Sequence, residues 1–193
     1  MSRVAALLLA AGGSRRMGRL KQLLRFEGSS LVRRAARAAL DSRCAELVVV
    51  VGADARDVRE TLAGLPLRIV SNPDWQEGIA SSLRAGIDSL DDDVDGVLVL
   101  LADQIRVDAS LIDALLATWE DSGLGMAACQ YPGGPGPPAL FARRHFEALG
   151  ALSGDRGAKG LLLAQPQDCV LVDAPQAAFD VDSPEDLESL RPR

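Results

Sequence analysis

The feature that most constrains this chain is an eight-residue apolar run, Val4 to Ala11, that ends abruptly on Gly12-Gly13. A run with no polar alternation predicts a strand buried on both faces, as in a parallel sheet covered by helices. Glycine at its end permits backbone angles closed to other residues and close approach of a ligand to the main chain. Ser14, Arg15, Arg16, Met17, Gly18, Arg19, Leu20 and Lys21 follow. Backbone N–H groups in such a turn can form a concave anion site. Strand, glycine turn and cations together predict a place for the phosphates of a nucleotide. Two familiar phosphate loops do not fit. Gly13 and Gly18 have the Walker A spacing, but Arg19-Leu20 stand where Lys-Ser/Thr is required. The dinucleotide fingerprint fails because Gly12 and Gly13 are adjacent and no third glycine falls in register.

Further apolar runs at Glu46–Gly52, Leu67–Val70 and Gly96–Leu101 alternate with helical patterns that start near Ser30, Asp54, Ser81 and Asp108. That alternation predicts βαβ units with right-handed crossovers. A short strand is expected over Met126–Cys129, and the glycines and prolines of Tyr131–Pro138 predict a loop. Ala139–Phe141 is expected to return to the sheet. A length of 193 residues suits one α/β domain spanning 1–193.

The formal net charge of −6 argues against a general nucleic-acid binder. Cationic charge clusters near the amino terminus, which fits a small anionic ligand. Arg33, Arg34, Arg37 and Arg43 are read as a solvated helix face. Three widely spaced cysteines form no C-x-x-C pair, so neither a zinc site nor a disulfide frame is indicated. The opening apolar run is too short for a signal peptide and no segment is long enough to cross a bilayer. A cytoplasmic, reduced protein is expected.

Asp103 follows the Gly96–Leu101 run, at the carboxyl end of a strand, where open α/β sheets bind ligands. Its oxygens suit Mg²⁺, a hard cation that accompanies phosphates. The competing reading is a cap for the helix near Asp108. Asn72, Gly78 and Ser82 lie in a loop-to-helix junction that suits an uncharged polar group, and Trp75 there reads equally as core or ligand contact. Asp180 and Asp182 alternate in an expected strand and so share a face. Two such carboxylates repel unless a cation lies nearby. His145, with no partner motif, is read as structural.

The segment Leu9-Ala10-Ala11-Gly12-x-Ser14-x-Arg16-Met17-Gly18-x-x-Lys21 resembles the signature loop of the MobA-like nucleotidyltransferases, and is most similar to the molybdenum cofactor cytidylyltransferase branch. Asn72-x-x-Trp75-x-x-Gly78-x-x-x-Ser82, Leu101-x-Asp103-Gln104, Gly136-x-Pro138-x-x-Phe141, Gly154-Asp155-x-Gly157-Ala158-Lys159 and Asp180-x-Asp182-Ser183-Pro184 match further family segments. Ile105 departs from the family's proline, Pro137 from a common histidine and Lys159 from an arginine.

The resemblance implies a three-layer Rossmann-like fold with a mostly parallel sheet. It implies Mg²⁺-dependent transfer of a nucleoside monophosphate from an NTP to an acceptor phosphate, releasing pyrophosphate. By it, Leu9, Ala10, Ala11, Gly12, Gly13, Ser14, Arg16, Lys21, Asn72, Gly78 and Ser82 hold the nucleotide. Arg16, Lys21 and Asp103 are catalytic. Gly136, Pro138, Asp155 and Lys159 face the acceptor, and Asp103 with Asp180 or Asp182 holds the metal. Ala11, in place of the guanylyltransferase branch's glycine, points to CTP. The acceptor implied is molybdenum-bearing molybdopterin, with a molybdenum hydroxylase as a possible recipient. The alternatives are a transferase with another NTP or phosphate acceptor, a MobA-like NAD(P)H reductase of small heteroaromatic substrates, and a non-enzymatic cofactor carrier.

Overall fold

The computed structural model describes residues 2–13, 20–53, 55–181 and 186. In chain order the strands are β1 (Val4–Ala10), β2 (Arg25–Phe26), β3 (Ser29–Ser30), β4 (Glu46–Val51), β5 (Arg68–Ser71), β6 (Gly96–Leu101), β7 (Met126–Tyr131), β8 (Gly134–Ala142) and β9 (Cys169–Asp173). The α-helices are α1 (Leu31–Leu40), α2 (Ala55–Leu62), α3 (Ile79–Asp88), α4 (Ala109–Ser122), α5 (Phe146–Gly150) and α6 (Lys159–Ala164). Seven strands form one sheet in the order β5-β4-β1-β6-β8-β7-β9, and β2 and β3 form a separate small hairpin. All neighbours on the β5-to-β6 side are parallel; β8 alone runs against β6 and β7.

The sheet is mostly parallel and lies between two helical layers. Strand side chains alternate between the faces. Val4, Ala6, Leu8 and Ala10 of β1 pack with Val32 and Ala36 of α1, Val58 of α2 and Ile112 of α4. Leu7, Leu9 and Ala11 pack on the other side with Leu83 of α3, Leu149 of α5 and Leu162 of α6. Every residue of β1 is buried. Burying a leucine side chain contributes roughly 1.5–3 kcal/mol, so the uninterrupted apolar run in the middle of the sheet is also a major source of its stability. Among the described residues, no helix is long and apolar enough to cross a membrane.

Ser30 caps α1 by accepting from Arg33 N; at α4 the cap is Asp108, which accepts from Leu111 N at 2.9 Å. The second bond holds the Asp108 carboxyl below the usual range, and it leaves Asp103 without a capping role. Arg37 of α1 is exposed, as expected of a solvated face, but Arg33 and Arg34 are tied down. Arg33 donates to the Thr61 carbonyl at 2.6 Å, and Arg34 pairs with Glu27. His145 is structural, as expected, and has a partner in Asp168 at 2.8 Å. Burial raises the Asp168 carboxyl, but the Gly125 amide, Arg144 and His145 outweigh it and hold the group below its ordinary value.

Two expectations are corrected. Tyr131–Pro138 is not a loop: only Pro132-Gly133 turns, between the paired residues Tyr131 and Gly134. The ladder accommodates its prolines by slipping between Ala128↔Ala139 and Cys129↔Gly136, which leaves Pro137 and Pro138 outside the pairing. Proline has no N–H to give, and a bulge is where a sheet can hold it. The expected strand through Asp180 is also absent. Among the described residues the last strand is Cys169–Asp173, a short 3₁₀ turn spans Pro175–Ala178, and Asp180 is exposed beyond it. The segment is held by other means: Val181 N donates to the Asp103 carbonyl at 3.0 Å, and buried Val181 packs on Leu31. Asp182, Ser183 and Pro184 lie outside the described residues.

Tyr131, the chain's only tyrosine, offers a direct check on this corner. Burial, helped by the negative charge of Asp180 and Cys129, pushes its phenol up to about 12. The folded state therefore holds the proton more tightly than the unfolded chain, whose phenol titrates near 10. Its stabilising contribution is complete below about pH 10 and is lost as pH rises towards 12. Phenolate absorbance followed after a rapid pH jump should have its midpoint near 12; a midpoint near 10 in folded protein would show a solvated ring.

Candidate active site

The site forms where three parallel strands end together. β1 delivers Ala10–Gly13, β6 delivers Ala102-Asp103, and β4 ends on Gly52-Ala53. The ends of β1 and β6 open into a cleft of about 460 Å³ lined by Leu9, Ala10, Ala11, Gly12, Gly13 and Lys21 among others. Gly78, Ser82, Asp103 and Asp155 face the same space. Residues far apart in sequence, and expected at one site, are thus brought together. Ser14 and Arg16 lie outside the described residues.

The glycine loop is shaped differently from the sequence expectation. Neither Gly12 nor Gly13 has a positive φ. Gly13 is required by contact: a Cβ there would lie 2.8 Å from the Trp75 ring, and one on Gly52 would lie 2.5 Å from Trp75 Cβ. Trp75 therefore packs on the backbone of two strand ends, as the core reading has it, and also lines the cleft. Sequence reasoning missed Gln22. Its buried amide donates to the carbonyls of Ala10 at 3.3 Å and Gly12 at 3.0 Å, which ties the far end of the loop to its start.

Asn72 does not line the cleft. It is buried behind it, and its amide donates to Ser81 at 2.8 Å and to Ser82 at 3.0 Å, while its carbonyl accepts from Asp74 N. Both amide hydrogens are therefore used within the junction, and Ser82 is the member that faces the cleft. Gly78, at φ 109°, is the hinge between the 3₁₀ turn Trp75–Glu77 and α3. A Cβ there would lie 2.5 Å from the Gly154 carbonyl group and 2.6 Å from Asp155 Oδ1. Gly78→Ala combines an unfavourable φ with a clash against backbone, and should cost about 2 kcal/mol or more. Denaturant unfolding checks this; a loss below about 0.5 kcal/mol would mean that the turn relaxes freely.

Asp103 sits at the centre. Its Oδ2 accepts from Lys21 Nζ at 2.7 Å, with the two side chains 25% and 18% exposed. Its Oδ1 is buried and has no hydrogen-bond partner among the described residues. A buried carboxylate oxygen without a donor is costly, and its chemistry suits a hard cation. The residue present thus fits a divalent metal. Asp180 is brought near by the Val181–Asp103 backbone bond. Among the described residues, no group of three or more His, Cys, Asp or Glu side chains clusters to hold a metal.

Gln104 is a second residue whose role was not foreseen. Buried beside Asp103, it donates to the Pro137 carbonyl at 2.9 Å and the Ala177 carbonyl at 2.8 Å. It therefore clasps the bulge of β8 and the 3₁₀ turn before Asp180 to the end of β6. No sequence pattern of polarity marks this, because the acceptors are backbone atoms distant along the chain.

A side chamber of about 260 Å³ adjoins the cleft and shares Leu9, Ile79, Leu101 and Asp155 with it. Its walls are apolar, including Leu83, Val99 and Leu162, with Asp155 and Lys159 as the charged members. Lys159 Nζ donates to the Gly133 carbonyl at 2.8 Å. Gly136 and Pro138 do not line it; Gly136 abuts the Tyr131 hydroxyl, and the neighbours Pro137 and Ala139 face the chamber instead.

A model of the MobA-like NTP transferase domain matches residues 6–169. The chain belongs to this family. This MobA-like chain is 33% identical to the nicotine blue oxidoreductase of Paenarthrobacter nicotinovorans, over 97% of its own length and 96% of that protein. It is 23% identical to the molybdenum cofactor cytidylyltransferase of Escherichia coli, over 100% of its length and 98% of that protein. The fold of Rv0371c from Mycobacterium tuberculosis, solved in complex with manganese, superposes with a TM-score of 0.82 at 24% identity and covers 98% of each chain. The MobA-like family and its mostly parallel α/β fold are as the sequence implied.

Proposed function

We propose that this chain is a divalent-metal-dependent nucleotidyltransferase that uses CTP and Mg²⁺ and acts on molybdenum-molybdopterin. In the reaction an oxygen of the acceptor's terminal phosphate attacks the α-phosphorus of CTP. The bond from that phosphorus to the bridging oxygen breaks, and pyrophosphate leaves with the electron pair. The single observation that carries this reading is Asp103, with a buried, unpartnered oxygen in the same cleft as the glycine loop and Lys21. Asp103, with Asp180 or Asp182, holds the cation, which when bound offsets charge on phosphate oxygens. The backbone at Ala11, Gly12 and Gly13 receives the nucleotide, and Lys21 and Arg16 meet charge on the phosphates. No covalent enzyme intermediate is needed, so positioning and electrostatics supply the rate. Rv0371c, which shares the fold, is solved in complex with manganese, and this supports a divalent cation as the metal. The apolar side chamber supports a ring-bearing acceptor over a simple sugar phosphate, with Lys159 near enough to the rim to serve a phosphate.

Ala11, buried and facing the cleft, is the proposed contact for the base. CTP should then bind more tightly than GTP in calorimetry with Mg²⁺ present; equal affinities would remove the argument from Ala11. The similarity to nicotine blue oxidoreductase favours a second reading, hydride transfer from NAD(P)H to a small heteroaromatic ring. Following NAD(P)H absorbance with such a substrate, without metal, separates the two. Oxidation of the cofactor at a steady rate would support the reductase and count against the transferase.

A further inference from the structure

The cleft carries a cation of its own at the carboxylate proposed for the metal. Lys21 Nζ is 2.7 Å from Asp103 Oδ2, while Oδ1 is buried without a partner among the described residues. Two cations on one half-buried carboxylate repel each other, because the surrounding dielectric screens them less than water does. The base of Lys21 cannot move far. It opens a short 3₁₀ turn, Lys21–Leu23, and the adjacent Gln22 is bonded to the carbonyls of Ala10 and Gly12. The Lys21 side chain lines the same cleft as the glycine loop.

We propose that Lys21 is the resident counter-ion of Asp103, and that it yields the carboxylate to the metal when triphosphate oxygens take its ammonium. Metal and nucleotide then bind as a coupled pair, and the metal alone binds weakly. By linkage, the factor by which nucleotide tightens the metal equals the factor by which the metal tightens nucleotide. The inference rests on the reading of Asp103 as a metal ligand. It gives the Lys21 ammonium a role at the nucleotide after its ion pair with Asp103, where a purely structural ion pair would have none.

The test uses Mn²⁺ alone, with free ion measured by electron paramagnetic resonance, on the full chain. Lys21→Ala should bind Mn²⁺ about tenfold more tightly than wild type, within the usual range of couplings. Lys21→Gln, which keeps a donor and loses the charge, should also bind more tightly than wild type and guards against a poorly folded alanine variant. Adding Asp103→Asn to either background should abolish the binding. Equal affinity in wild type and both Lys21 variants, with Asp103→Asn still abolishing it, would overturn the exchange and leave the metal ligand standing. If Asp103→Asn changes nothing in any background, the metal reading itself fails and the inference falls with it.

Discussion

Asp103→Asn is expected to lower kcat by on the order of 10³, at the upper end of what losing one preorganised electrostatic group costs. The amide keeps the size and loses the charge. It should not unfold the protein. The partner it loses, Lys21, is partly exposed, and ion pairs of that kind contribute about 1 kcal/mol or less. The capping bonds of α4 belong to Asp108 and are untouched. Steady-state turnover at saturating nucleotide and Mg²⁺, with a thermal melt beside it, reads both halves. A folded Asp103→Asn protein with near-normal turnover would remove the metal assignment. Asp180→Asn and Asp182→Asn, made separately, should differ, and the more damaging one identifies the second ligand.

Lys21→Ala is expected to lower kcat by about 10²–10³ and not merely to raise KM. Negative charge builds on the departing pyrophosphate, so an ammonium there acts more strongly in the transition state than in the ground state. Lys21→Arg should recover part of the rate, since a planar guanidinium fork is no substitute for a compact point charge. Single-turnover kinetics at saturating nucleotide isolate the step. An unchanged chemical rate in Lys21→Ala would confine the lysine to its ion pair with Asp103 and leave Arg16 as the loop's cation at the phosphates.

The parts legible in the sequence are those set by local chemistry. β1 could be read because an unbroken apolar run has few other places to go, and its end on glycine located the cleft. The cap at Ser30 follows from short-range side-chain bonding and was legible, whereas at α4 the capping residue is Asp108 and not the Asp103 weighed for it. What escaped depends on partners far along the chain. The prolines of β8 argue for a loop until the bulge opposite Ala128 and Cys129 is known to set Pro137 and Pro138 outside the ladder. Asn72 carries the right pattern for a ligand contact, yet its amide is spent on Ser81 and Ser82, and only the fold shows that. Gln22 and Gln104 act on backbone carbonyls, which leave no mark in side-chain patterns. The Lys21–Asp103 pair joins two residues each legible as functional, but their contact is a product of β1 and β6 lying side by side.

The most direct test of the central claim is the stoichiometry of pyrophosphate. With CTP, Mg²⁺ and molybdenum-molybdopterin, the protein should release one pyrophosphate for each acceptor consumed, and mass spectrometry should find CMP joined to the acceptor through a new phosphoanhydride bond. No pyrophosphate and no nucleotide adduct with CTP, GTP or ATP, under conditions where the nucleotide demonstrably binds, would contradict it.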